Sequence, residues 1–223
     1  SDHFNLPIIG ITGSNGKTIV KEWLYQLLQD QFTICRSPKS YNSQIGVPLS
    51  VWELNKNNNL GIFEAGISTE NEMQNLQKII KPTIGILTNI GDAHNEGFTN
   101  TQQKINEKIK LFDNCEQIIY CNDYDLVDDI IKNKHSKNVF TWGRKNTSDL
   151  QIIEIIKKQQ QTTIVGINNN DNIEITIPFV DDASIQNACT CWATLIFLKI
   201  NQSTIQQKML KLHSVEMRLQ LVK

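Results

Sequence analysis

Six residues, Gly13-Ser14-Asn15-Gly16-Lys17-Thr18, constrain this chain more than any others. They follow Ile8–Thr12, a short apolar, β-branched run. They precede a stretch from Lys17 to Asp30 in which Ile19, Val20, Trp23, Leu24, Leu27 and Leu28 share one face of a 3.6-residue period. A glycine-rich turn between a strand and a helix, closed by Lys-Thr, has a chemistry of its own. The glycines let the backbone turn so that several N–H groups point at one anion. The first helical turn adds unpaired N–H groups and the positive end of the helix dipole. Lys17 brings a mobile charge for the β- and γ-phosphates of ATP, and the Thr18 hydroxyl is a ligand for Mg²⁺. In the general phosphate-loop pattern a glycine stands five positions before Gly16; here that position is Ile11, and Gly10 lies one residue earlier.

The rest of the pattern extends the strand–helix theme. Strands are predicted at Phe32–Cys35, Leu60–Glu64, Ile84–Asn89, Ile118–Cys121 and Val139–Trp142. Helices are predicted near Ser43–Leu54, Glu70–Ile80, Thr101–Phe112 and Asp125–Lys134. Repeated βα units favour an α/β fold of the P-loop NTPase kind, a mainly parallel sheet with helices on both faces. Between about 150 and 180 the texture changes to short β-rich runs with polar breaks, which predicts a small antiparallel hairpin or sheet. Helical patterns return at Ala183–Ile200 and Thr204–Leu212. The 223 residues, 39% of them apolar, read as one domain over 1–223.

Charge and cysteine usage exclude several classes. A formal net charge of −1 gives no electrostatic case for nucleic acid or an anionic membrane. No apolar run is long enough for a membrane span, and Ser1-Asp2-His3-Phe4 lacks the regions of a signal peptide. Five cysteines do not suggest a disulfide framework, and nothing near Cys189-x-Cys191 completes a zinc site. Reduced thiols in a cytoplasmic protein are the expectation.

In a parallel sheet the C-terminal strand ends share the crevice of the phosphate loop. Glu64 closes Leu60–Glu64, where a carboxylate can hold Mg²⁺. His94 follows the strand beginning at Ile84, where an imidazole can complete a metal site or orient a neighbour; Asp92 competes for the same work. Lys108, on the pattern Thr101–Phe112, reads as an exposed helix lysine, and His3, His135 and His213 read as surface residues.

Together these segments resemble the Mur ligase family. Ile11 to Thr18 looks like that family's phosphate loop, in which the early glycine is not required. Glu64-Ala65-Gly66 matches its strand-end glutamate, and Asn89-Ile90-Gly91-Asp92-Ala93-His94-Asn95-Glu96-Gly97-Phe98 is similar to its second metal segment. Val215-Glu216-Met217-Arg218-Leu219 resembles its arginine segment, and Ser40 to Leu49 looks most like the MurF branch. The resemblance implies an ATP-dependent amide ligase of peptidoglycan synthesis that joins D-alanyl-D-alanine to a UDP-N-acetylmuramoyl tripeptide through an acyl phosphate. It implies that Lys17 and the loop amides hold ATP, that Thr18 and Glu64 bind one Mg²⁺, and that His94 helps bind a second. Lys108 matches a lysine that many members carbamylate with CO₂, which turns a cation into a metal-binding carboxylate. Asn187 would lie near the adenine, Arg218 near the ribose or phosphates, and Asn42 on the acceptor side. Ala183-Ser184 stands where most members have His-Asn, a departure that resembles a subgroup fused to an alanine racemase. Complete members resemble this domain flanked by an N-terminal UDP-sugar domain and a C-terminal ligase domain; neither is expected in these 223 residues, so the chain alone is expected to bind nucleotide weakly and to be inactive.

Rival readings are a folylpolyglutamate or cyanophycin-type ligase, which Ile45-Gly46-Val47-Pro48 disfavours, and a phosphate-loop module that binds nucleotide without ligation. The glutamate, histidine and arginine segments argue against the second, since a pure binder does not need them. A catalytically dead relative is the third, with Ala183-Ser184 its only hint.

Overall fold

The strands Ile8–Thr12 and Leu60–Glu64 are buried at all five of their positions. Strands of that kind need cover on both faces, and a parallel sheet with helices on each side supplies it. The computed structural model describes residues 6–91, 98–135 and 138–215. In chain order the elements are β1 (Ile8–Thr12), α1 (Lys17–Leu28), β2 (Ile34–Arg36), α2 (Gly46–Trp52), β3 (Leu60–Glu64), α3 (Glu72–Ile80) and β4 (Ile84–Leu87). Then come α4 (Thr101–Ile109), β5 (Gln117–Cys121), α5 (Asp125–His135), β6 (Val139–Gly143), β7 (Leu150–Lys157), β8 (Thr162–Asn168), β9 (Asp171–Ile177), α6 (Asp182–Phe197) and α7 (Gln202–Met209).

The strands form one nine-stranded sheet in the order β2-β3-β1-β4-β5-β6-β7-β8-β9. Pairing is parallel from β2 as far as β7 and antiparallel from β7 to β9. The β-rich region is thus a three-stranded extension of the main sheet, joined at Trp142–Leu150 and Gly143–Gln151.

Alternation along each strand divides the core. Ile9 and Ile11 pack with Val20, Trp23 and Leu24 of α1 and with residues of α6 and α7. Ile8, Phe63 and Leu87 pack on the other face with residues of α2, α3, α4 and α5. Each fully buried aliphatic side chain contributes about 1.5–3 kcal/mol, so the apolar stripe of α1 fixes the helix that carries Lys17 and Thr18.

Several boundaries differ from expectation for local reasons. β2 starts at Ile34 because Phe32 N–H closes on the Leu28 carbonyl at 3.0 Å and Thr33 N–H on Asn59 Oδ1 at 2.8 Å. α2 starts at Gly46, whose N–H donates to the hydroxyl of Ser43, which lies in the turn before the helix, at 3.2 Å. α4 stops at Ile109 and tightens into a 3-10 turn, Lys110–Phe112. β4 stops at Leu87 because Thr88 and Asn89 turn to the phosphate loop.

Candidate phosphate-binding site

The sheet order sets the C-terminal ends of β3, β1 and β4 side by side, and the candidate residues hang from those ends. After Thr12 the chain turns through Gly13 and Gly16, with φ of +145° and +81°. A side chain would be strained at both. Space forbids it too: a Cβ on Gly13 would lie 2.1 Å from Thr88 Oγ1, and one on Gly16 would lie 2.2 Å from Asn187 Oδ1.

Residues just after β4 fasten the loop. Ser14 N–H donates to the Asn89 carbonyl at 2.8 Å, and Asn15 N–H to Asn89 Oδ1 at 2.9 Å. The Thr88 hydroxyl donates to the Asn15 carbonyl at 2.5 Å. With the amides of Ser14 and Asn15 so engaged, the loop's N–H groups that could meet an anion are those that open α1. The Ser14 hydroxyl is buried and has no hydrogen-bond partner among the described residues, an orphaned polar atom that a phosphate oxygen would satisfy. The roles of Thr88 and Asn89 were missed in the sequence; their only signal was their place at the end of a neighbouring strand.

Glu64 is fully buried, not a surface residue opening a loop. Its Oε2 accepts the Thr18 hydroxyl at 2.8 Å, and its Oε1 lies 3.5 Å from Lys21 Nζ. Lys21, also missed in the sequence, is fully buried; it donates to the carbonyls of Ser37, at 2.7 Å, and Lys39. The hydroxyl of Thr18 and the carboxylate of Glu64 are hard oxygen donors in one place, a set that fits Mg²⁺ alongside phosphate oxygens and water. Among the described residues no three His, Cys, Asp or Glu side chains gather into a ready-made metal site.

The expectation that Lys108 is an exposed helix lysine is wrong. It is 4% exposed, and its Nζ donates to the Gly13 carbonyl at 3.3 Å. Lys17 reaches the same carbonyl at 2.9 Å and that of Ser14 at 3.3 Å. Burial lowers the Lys17 amine; Glu64 opposes that shift and Lys104 reinforces it. Burial, then Lys17 and Lys104, bring the Lys108 amine down from 10.5 to about 7.

These side chains border a cavity of about 650 Å³. Gly13, Ser14, Asn15, Lys17, Asn42 to Ile45, Gly66 to Ser68, Lys104 and Lys108 are among the residues that line it. Asn42 is held there by the Gly66 N–H, which donates to its carbonyl at 2.8 Å. Asn187, on α6, stands beside Gly16. Ala183 and Ser184 sit in the exposed first turn of α6, which Asp181 caps by accepting Ser184 N–H at 2.8 Å. His94, its competitor Asp92, and Arg218 lie outside the described residues. The five cysteines are free and buried. Among the described residues no helix is long and apolar enough to cross a membrane.

The model of the Mur ligase middle domain matches residues 11–195. The UDP-N-acetylmuramoyl-tripeptide–D-alanyl-D-alanine ligase of Bacillus subtilis is 27% identical over 221 residues, which are 97% of this chain and 47% of that protein. MurF from Acinetobacter baumannii superposes with a TM-score of 0.85 at 22% identity, covering 95% of this chain and 47% of that one. MurF ligase from Thermotoga maritima in complex with ADP gives a TM-score of 0.81 at 21% identity, covering 96% and 50%. The chain thus spans about half the length of the curated relatives it matches. These names favour the MurF branch over the folylpolyglutamate and cyanophycin readings.

Proposed function

The chain belongs to the Mur ligase family through its middle domain, and from that premise we propose that it is the ATP-binding part of a ligase that adds D-alanyl-D-alanine to UDP-N-acetylmuramoyl tripeptide. The observation that carries the reading is the 2.8 Å hydrogen bond from Thr18, at the start of α1, to Glu64, at the end of β3. It unites a phosphate loop with a strand-end carboxylate, the pair that an Mg–ATP site requires. The ADP in the Thermotoga maritima protein supports nucleotide binding by this fold.

In the proposed reaction a substrate carboxylate takes the γ-phosphoryl group of ATP, leaving ADP and an acyl phosphate. The amine of the dipeptide attacks the acyl carbon, loses a proton and releases phosphate. The chain's own contribution is position and charge. Lys17 and the N–H groups opening α1 hold the β- and γ-phosphates. Asn187 lies beside the adenine and Asn42 faces the acceptor. Thr18 and Glu64 would hold Mg²⁺, which neutralises phosphate charge when bound. His94 and a carbamylated Lys108 are proposed for a second metal, and Arg218 for the ribose or phosphates. An amine near neutrality, as burial makes Lys108, is the form that attacks CO₂.

The test is phosphate release by the protein that carries this chain with its natural flanking sequence. Release should require ATP, UDP-N-acetylmuramoyl tripeptide and D-alanyl-D-alanine together. Release driven by folate and glutamate, or none with the muramyl substrate, would overturn the reading.

A further inference from the structure

The reaction above gives Lys17 and Lys108 tasks and leaves Lys104 without one. Lys104 lies one turn before Lys108 on α4 and is 6% exposed. It is among the residues that line the cavity, and its Nζ donates to the Gly91 carbonyl at 3.1 Å. A buried ammonium is costly unless an anion meets it, and one carbonyl uses only part of its donor capacity. Among the described residues the nearby carboxylates are committed elsewhere. Glu107 pairs with Lys110 at 2.5 Å and accepts Met73 N–H at 3.3 Å. Glu72 accepts the N–H groups of Ser68 and Thr69 at 2.7 and 3.0 Å. Glu64 is taken by Thr18 and Lys21. Among the described residues Lys104 forms no ion pair.

Its position says which anion it meets. Gly91, its anchor, abuts the tip of the phosphate loop: a Cβ there would stand 3.4 Å from Asn15 Nδ2 and 3.7 Å from Ser14 Cβ. The Lys104 head is therefore held against the loop, and its charge is felt by Lys17. We propose that Lys104 is a second phosphate-binding lysine, which holds the terminal phosphoryl group of ATP together with Lys17. The inference rests on the reading that ATP occupies the loop. A phosphoryl group in transfer spreads charge over its equatorial oxygens, and two cations on them stay with it as it leaves ADP.

The test compares nucleotides with and without that group, by calorimetric titration of the chain with Mg²⁺ present. Lys104→Gln should weaken binding of the β,γ-imido analogue of ATP by about tenfold or more, the size of a lost charge-assisted bond, and change ADP by less than about twofold. Lys104→Arg should restore most of the loss. A merely structural lysine would move both nucleotides and the unfolding midpoint together. Equal loss for the two nucleotides, or no loss for either, overturns the assignment while the ATP reading stands. Failure of the unsubstituted chain to bind either nucleotide overturns both.

Discussion

Replacing Lys108 with methionine should stabilise the chain below neutrality. Lys108 is 4% exposed, and burial with Lys17 and Lys104 nearby brings its amine from 10.5 to about 7. Below about pH 7 the group is charged in both the folded and the unfolded chain, and the fold bears the whole penalty. Between about 7 and 10.5 the unfolded chain holds one more proton than the folded chain, so stability rises with pH. The full span corresponds to roughly 5 kcal/mol on the charged form. Relaxation around the charge and imperfect packing of methionine should leave about 2 kcal/mol to be measured. For a chain of this size that is about 4–8 °C in Tm. The assay is thermal unfolding of both proteins from pH 6 to pH 10 in CO₂-free buffer without nucleotide. Lys17 is lowered in the same sense, with Glu64 opposing, so only the difference between the two proteins isolates Lys108. The methionine variant should lead at pH 6 and the gap should close by pH 10. A variant less stable at pH 6, or a gap independent of pH, would show that burial does not penalise the charged Lys108 amine.

The loop and its support give two further predictions. Gly16→Ala puts a Cβ at φ +81° and 2.2 Å from Asn187 Oδ1, so it should cost about 1–3 kcal/mol in urea unfolding and abolish nucleotide binding by titration. Binding kept within about threefold would contradict the geometry. Lys21→Met strips the buried cation from Glu64 and leaves the carbonyls of Ser37 and Lys39 unpaired. It should cost about 3–5 kcal/mol, and a loss below about 1 kcal/mol would show that Glu64 does not depend on it.

The phosphate loop was legible because its chemistry is local. Glycines, a lysine and a threonine at one strand–helix turn announce an anion site, and the bounds of β1 and β3 followed from continuous apolar runs. The role of Glu64 was legible only through the parallel sheet, which aligns strand ends. The lysines of α4 were not legible. That helix has just Ile105 and Ile109 as apolar residues, so periodicity marks a narrow stripe and leaves Lys104 and Lys108 looking solvated. Their partners come from elsewhere in the chain: Lys108 meets the Gly13 carbonyl of the phosphate loop, 95 residues away, and Lys104 the Gly91 carbonyl beyond β4. Lys21 was hidden for the same reason: its partners come from the segment after β2 and from β3. The junction of β6 with β7 rests on pairing at Trp142 and Gly143, a long-range choice that strand propensity does not encode.

On the proposed reading Gly13–Thr18 and Glu64 form one Mg–ATP site, and a crystal structure of the chain with Mg²⁺ and the β,γ-imido analogue of ATP would show whether they do. The triphosphate should lie in the loop, with the cation on Thr18 and Glu64 and the terminal phosphate between Lys17 and Lys104. A nucleotide bound elsewhere, or a cation with neither Thr18 nor Glu64 among its ligands, would contradict the account.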